Sequence, residues 1–111
     1  MRVAALDLGK VRVGLAVSDE LGVIAHPRAP LAGGNQKKLL AELAALARSE
    51  KIARFLVGFP LNRRGEDGRE AKRVRKFAQA LADATGRQIE GSIKGEGAVG
   101  NIVPRLTELL R

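Results

Sequence analysis

MRVAALDLGKVRVGLAVSD, residues 1–19, is the stretch on which the fold turns. Val3 to Leu6 is a short apolar run that delivers Asp7, Leu8-Gly9-Lys10 turns the chain, and Val11 to Val17 is a second run closing on Ser18-Asp19. Each run has the length and residue types of a strand, and a glycine-containing turn separates them, so the stretch reads as a β-hairpin. In the second run Val11, Val13, Leu15 and Val17 alternate with Arg12, Gly14, Ala16 and Ser18. One face is therefore aliphatic and the other small except for Arg12. A glycine inside a strand, here Gly14, marks a place where a ligand or another element comes close. Asp7, a carboxylate at the end of an apolar strand, is the first candidate for chemistry.

The 111 residues suffice for a single domain, 1–111, with a real core. With 45% hydrophobic and only 3% aromatic residues, that core must be aliphatic, helped by Phe55, Phe59 and Phe77. No apolar run approaches the roughly 20 residues of a membrane span, and Arg2 leads into a strand pattern and not a signal peptide, so a cytoplasmic protein without a membrane partner is expected. The absence of cysteine excludes disulfides and thiolate chemistry, and the single histidine, His26, reads as a loop residue with no second ligand to share a site. Any metal would be a hard, oxygen-liganded one. A net charge of +8, from 20 Lys and Arg against 12 Asp and Glu, points to a polyanionic partner, with nucleic acid the first to consider.

Beyond the hairpin, Glu20-Leu21-Gly22 reads as a turn and Val23 to Ala25 as a short third strand, with irregular chain from His26 to Pro30 because each residue before a proline is pushed towards extended geometry. Gly33-Gly34 breaks the chain, and Asn35 caps a helix running to about Arg48 with Leu39, Leu40, Leu43, Leu46 and Ala47 as its apolar stripe. Ile52 to Gly58, interrupted only by Arg54, reads as an interior strand. The strand, helix, strand order predicts that it lies parallel to the first strand through a right-handed crossover. A loop from Phe59 to Gly68 precedes a second helix, Arg69 to Thr85, stopped by Gly86. Its inward positions are Ala71, Val74, Phe77, Ala78 and Leu81. Gln88 to Ile93 reads as an edge strand, and Asn101 to Arg111 as a final helix after a glycine-rich stretch; the whole of 87–111 is atypical and loosely specified.

Lys72, Arg73, Arg75 and Lys76, with Arg63, Arg64 and Arg69 before them, form the densest positive patch in the chain. Such a run is either a solvated helix face or a phosphate-binding surface. It follows directly from the end of a buried strand, the side of an open α/β sheet where ligands bind.

Two blocks carry a family resemblance. Asp7-Leu8-Gly9, Arg12, Gly14, Ala16 and Ser18-Asp19 fit the pattern DxGxxRxGxAxSD, and Val57-Gly58-Phe59-Pro60-Leu61-Asn62, Gly65, Gly68, Ala71, Val74-Arg75 and Phe77-Ala78 fit VGxPLN…G…G…VRxFA without a gap. On these residues the chain, over 1 to about 86, resembles the YqgF family, Holliday-junction-resolvase-like proteins also described as nucleases of the small-subunit ribosomal RNA precursor. The resemblance implies an α/β, RNase H-like mixed sheet: three antiparallel strands followed by parallel strands with crossover helices. It further implies a phosphodiester-cleaving site of carboxylates holding Mg or Mn, since two hard ions about 3.5–4 Å apart can activate water and stabilise the leaving oxygen.

Asp7 matches the family's first metal-binding acid. Arg12, Asn62, Arg63, Arg64, Lys72, Arg73 and Lys76 are the expected nucleic-acid contacts, Arg12 also being placed to pack over the hairpin. Asp19 fits either a turn cap or a functional group. The family's WDER-like segment falls here on Ser92-Ile93-Lys94-Gly95, which carries no acid, leaving Glu90 and Glu96 on either side as the available carboxylates. The expected function is thus a metal-dependent nuclease acting on structured RNA, such as the 16S rRNA precursor at its 5′ end, or on branched DNA, with Asp7, Glu90 and Glu96 as its acids. The alternative is a catalytically impaired member that binds nucleic acid. An ATP-dependent phosphotransferase shares the DxGxxxxG opening but needs a second domain. Both monomer and homodimer remain open.

Overall fold

Alternating burial builds the sheet from its centre outward. Residues Arg2–Leu8 form β1 and Arg12–Ser18 form β2, paired antiparallel with Leu6 opposite Leu15 and Asp7 opposite Gly14. Gly9 closes the turn by donating its N–H to the Arg12 carbonyl at 2.9 Å. A Cβ on Gly9 would stand 2.5 Å from that same oxygen, so only glycine fits. The structure, a computed structural model, describes residues 1–9, 11–22, 24–59 and 69–93.

The remaining elements are β3 (Ala25–Ala32), α1 (Gln36–Ser49), β4 (Ile52–Phe59), α2 (Arg69–Thr85) and β5 (Gln88–Ile93). The sheet order is β3-β2-β1-β4-β5, with β3 antiparallel to β2, β4 parallel to β1 and β5 parallel to β4. This is the mixed sheet expected, three antiparallel strands and then parallel strands joined by helices. Asn35 caps α1 by accepting the Lys38 N–H at 3.0 Å. Gly86, at φ +66°, follows the last residue of α2, the left-handed conformation that ends a helix.

Both helices pack on one face. Leu39, Leu43 and Ala47 of α1 and Val74, Phe77 and Leu81 of α2 meet Ala4, Leu6, Leu8, Val13, Leu15, Val17, Phe55 and Val57 in one cluster. Val3, Ala5, Ala16, Ala25 and Leu56 form a smaller cluster on the opposite face. Since side chains alternate across a strand, these two sets assign a face to every neighbour between them.

Two local expectations are corrected. The third strand is not Val23 to Ala25 but Ala25–Ala32, through the His26–Pro30 segment expected to be irregular. It is an edge strand, where a proline's missing N–H breaks no ladder, and its register shifts between Val13 and Leu15 so that Ala29 and Pro30 bulge opposite Gly14. Val11, expected on the aliphatic face of β2, is 73% exposed because it belongs to the turn, where its carbonyl accepts the Gly33 N–H at 2.8 Å.

Candidate active site

Asp7 stands near the C-terminal end of β1, the middle strand of the sheet. Its neighbours Leu6 and Leu8 belong to the helix-covered core, so alternation directs the Asp7 side chain to the opposite face. Directly across in β2 is Gly14, where an added Cβ would lie 3.4 Å from the Asp7 Cβ. On the other side the last pair of the parallel ladder is Leu6 with Val57, so Gly58 is the next residue of β4 just beyond it, on the Asp7 side of the sheet. The half-buried carboxylate therefore sits between two residues without side chains, which leaves its flanks open to a ligand. Its Oδ1 is buried and accepts no hydrogen bond, while the residue has an interaction elsewhere.

Arg12 is exposed and lies two residues before Gly14 on β2, which puts it on the Asp7 face. Turn closure through its own carbonyl positions it: the bond from Gly9 ties the start of β2 to the end of β1. A carboxylate and a guanidinium thus share one end of one sheet face. That pairing can hold a hard cation and a phosphate side by side.

Glu90 reaches the same face by a longer route. It pairs with Leu56, a member of the Val3–Ala5 cluster, and donates nothing: its Oε1 accepts from Arg54 Nη1 at 2.8 Å. It lies on β5, two strands from Asp7, or roughly 10 Å across the sheet. The structure does not bring the two carboxylates together, and Arg54, the one charge in the apolar run of β4, is the partner that explains where Glu90 points. Among the described residues no three His, Cys, Asp or Glu side chains cluster as a metal site.

The α2 cations divide. Arg73 lines a cavity of about 90 Å³ with Leu8, Gly9, Val13, Gly33, Gln36 and Phe77, on the helical side of the hairpin turn. Lys72 and Lys76 are exposed on the side of α2 away from the sheet. Asn62, Arg63, Arg64 and Glu96 lie outside the described residues, as do the remaining acids Glu66, Asp67 and Glu108.

Two residues escaped the sequence reading. Gly58 flanks Asp7 only once β4 is placed beside β1 in register, although its position in an apolar strand hinted at a close approach. Ser18, buried within β2, accepts the Val3 N–H at 2.8 Å and donates to the Asp19 carbonyl at 3.0 Å, fastening the start of β1 to the end of β2. Its only sequence signal was its place in the first motif.

Comparison with known proteins agrees with this architecture. A family described as "RuvX: Holliday junction resolvase" matches residues 1–92. A protein of Anaeromyxobacter sp. (strain Fw109-5) named "Putative pre-16S rRNA nuclease" is 39% identical over 90 residues, 81% of this chain and 66% of its own. The protein of the same name from Myxococcus xanthus is also 39% identical over 90 residues, covering 81% and 60%. The chain thus spans less than two thirds of the length of these relatives. A structure of Thermus thermophilus RuvC in complex with Holliday junction substrate superposes with a TM-score of 0.58 at 14% identity, over 84% of this chain and 64% of that one, a likeness of fold. With the family matched over most of the chain and the RNase H-like sheet in place, this protein belongs to the RuvX family, the YqgF family of the motif resemblance.

Proposed function

We propose that this chain acts as a metal-dependent endonuclease of structured nucleic acid, with the 16S rRNA precursor its favoured substrate and four-way DNA junctions the other candidate. One observation carries the reading: Asp7 is held near the end of the central strand opposite Gly14, one residue past the Leu6–Val57 pair, with Arg12 on the same face. The names of the two relatives support the choice of ribosomal RNA, and the family description supports the junction.

Asp7 is the described residue that would hold Mg or Mn, its oxygens being hard ligands of the kind both ions prefer. Bound there, such an ion would supply an acidified water and neutralise charge on the phosphate. Asp7 is one ligand of that ion and not a complete set, and Glu90 is engaged by Arg54. Arg12 would orient the substrate by a charge-assisted bond to a phosphate oxygen beside the carboxylate. The glycines on either side let the sugar-phosphate backbone approach without a side chain in the way. Hydrolysis would break one P–O ester bond and leave a phosphate and a hydroxyl end.

The test is cleavage of a precursor rRNA fragment and of a synthetic four-way junction in Mg or Mn by the protein and by Asp7→Asn, which keeps shape and removes charge. Loss of cleavage by several hundredfold or more with unchanged melting supports the reading; undiminished cleavage by the variant overturns it. A second reading, a nucleic-acid-binding member without turnover, is favoured by the lack of a three-acid cluster among the described residues. Salt-sensitive binding by the unmodified protein with no product in either metal would select it. In either case a cytoplasmic location fits the proposed substrates.

A further inference from the structure

Lys72 and Lys76 of α2 lie on the far side of the sheet from Asp7. Val74, Phe77 and Leu81 face the sheet, so at 100° per residue Lys72 and Lys76 point away from it. Asp7 points off the opposite face. The sheet itself and most of a helix, roughly 10–12 Å across with side chains, stand between them. A nucleotide seated at Asp7 cannot also be the one that neutralises Lys72 and Lys76.

These lysines belong to a larger arrangement. Arg69, Lys72, Arg73 and Lys76 follow i, i+3, i+4, i+7, all exposed, and form one stripe along about 10 Å of helix axis. Beside it α1 begins with exposed Lys37 and Lys38 and no acid in its first turn. Both helices start at the end of the sheet where β1 and β4 finish. Gly33, just before α1, is tied to Val11 in the hairpin turn, and α2 follows the C-terminal end of β4.

Helix electrostatics favour the reverse placement, acids in the first turn and bases in the last. Yet residues 69–76 of α2 hold five cations, Arg75 among them, to the single acid Glu70, and its last turn has no base and ends near Asp83. The helix dipole gains nothing from this polarity. A polyanion bound at that end would.

We propose that the rim of Lys37, Lys38, Arg69, Lys72, Arg73 and Lys76 is a second backbone track, separate from the one at Asp7, so that the preferred substrate is a nucleic acid whose fold or branch places two segments against opposite faces of the sheet. The inference rests on the nucleic-acid reading of the Asp7 site and adds to it a second binding surface on the helical layer. A linear duplex occupies one track at a time. A junction or a folded RNA occupies both.

Binding of a synthetic four-way DNA junction and of one of its arms as a linear duplex, each across a salt series, decides the matter. The slope of log affinity against log salt falls by about 0.9 per phosphate neutralised on duplex DNA. The protein should bind the junction with a slope steeper than the arm by about 2 or more. In the double variant K72Q/K76Q the junction slope should drop by about 2, bringing it close to that of the arm and weakening junction binding up to roughly 60-fold at 0.1 M salt. Lys51→Gln, at the other end of α1, should leave the difference in place. Melting of K72Q/K76Q should hold or rise, since the lost charges oppose the helix dipole. If the double variant keeps its preference for the junction, or the unmodified protein shows none, the second track is refuted while Asp7-dependent cleavage can still stand. Failure to retain either DNA probe would overturn this inference and the junction reading, while cleavage of the rRNA precursor stands or falls by its own test.

Discussion

Replacing Gly9 by alanine strikes the turn that positions both Asp7 and Arg12. A Cβ there would lie 2.5 Å from the Arg12 carbonyl oxygen, closer than real Cβ atoms approach, and the obstacle is backbone, which cannot rotate aside. The same carbonyl accepts the Gly9 N–H at 2.9 Å, so relief of the clash breaks that bond. Loss of the bond costs about 1 kcal/mol and residual backbone strain about 1–3 kcal/mol, together about 2–4 kcal/mol. Unfolding entropy of about 2.1 cal/mol/K per residue over 111 residues is about 230 cal/mol/K, so each kcal/mol moves the midpoint by about 4 °C. The variant should melt about 8–16 °C lower by circular dichroism. Arg12 should also draw away from Asp7, so that nucleic-acid affinity falls at temperatures where the variant is still folded. A variant that melts within about 2 °C of its parent would refute the reasoning, because it would mean that the turn relaxes at no cost and does not hold the two strands in register.

Other expectations are read by the same methods. Ser18→Ala leaves the buried Val3 N–H without its acceptor and should cost about 1–3 kcal/mol, a loss of about 4–12 °C; an unchanged midpoint would mean that water replaces the hydroxyl. Glu50 takes a two-pronged hydrogen bond from Arg28 at 2.6 and 2.8 Å, and this, aided by the charges of Arg28 and Arg2 against partial burial, holds its carboxyl below the ordinary 4.5. The folded protein therefore binds that proton less readily than the unfolded chain. The stabilisation is fully present above about pH 4.5 and is lost as pH falls through the depressed folded value. The melting difference between the parent and Glu50→Gln, of the order of 1 kcal/mol for an ion pair this exposed, should hold above about pH 4.5 and shrink as the solution is made more acid. A difference that grows towards acid pH would contradict the assignment.

The described elements show where local pattern was sufficient. The hairpin, both helices, the Asn35 cap and the Gly86 stop were legible because each is specified by period, cap chemistry or turn residues within a few positions of itself, and the parallel placement of β4 followed from the strand, helix, strand order. The edge strand β3 was not. Two prolines in its sequence argue against a strand in general, and only its place at the margin of the sheet, with a bulge opposite Gly14, makes them harmless. Arg54 stood out as the one charge in its run, but nothing local names Glu90, 36 residues later, as its partner.

For the site, the chain by itself determined that an aspartate ends the first strand, that a glycine and an arginine follow at positions sharing a face, and that a basic helix comes later. Tertiary structure decided which face. Alternation places Asp7 and Arg12 together whatever the fold, but only the packing of both helices over Leu6, Leu8 and Val57 sends Asp7 to the other side and puts Lys72 and Lys76 behind the helical layer. Likewise Gly58 comes to flank Asp7 only through the register of two parallel strands separated by more than forty residues, a relation set by packing and not by any neighbouring residue.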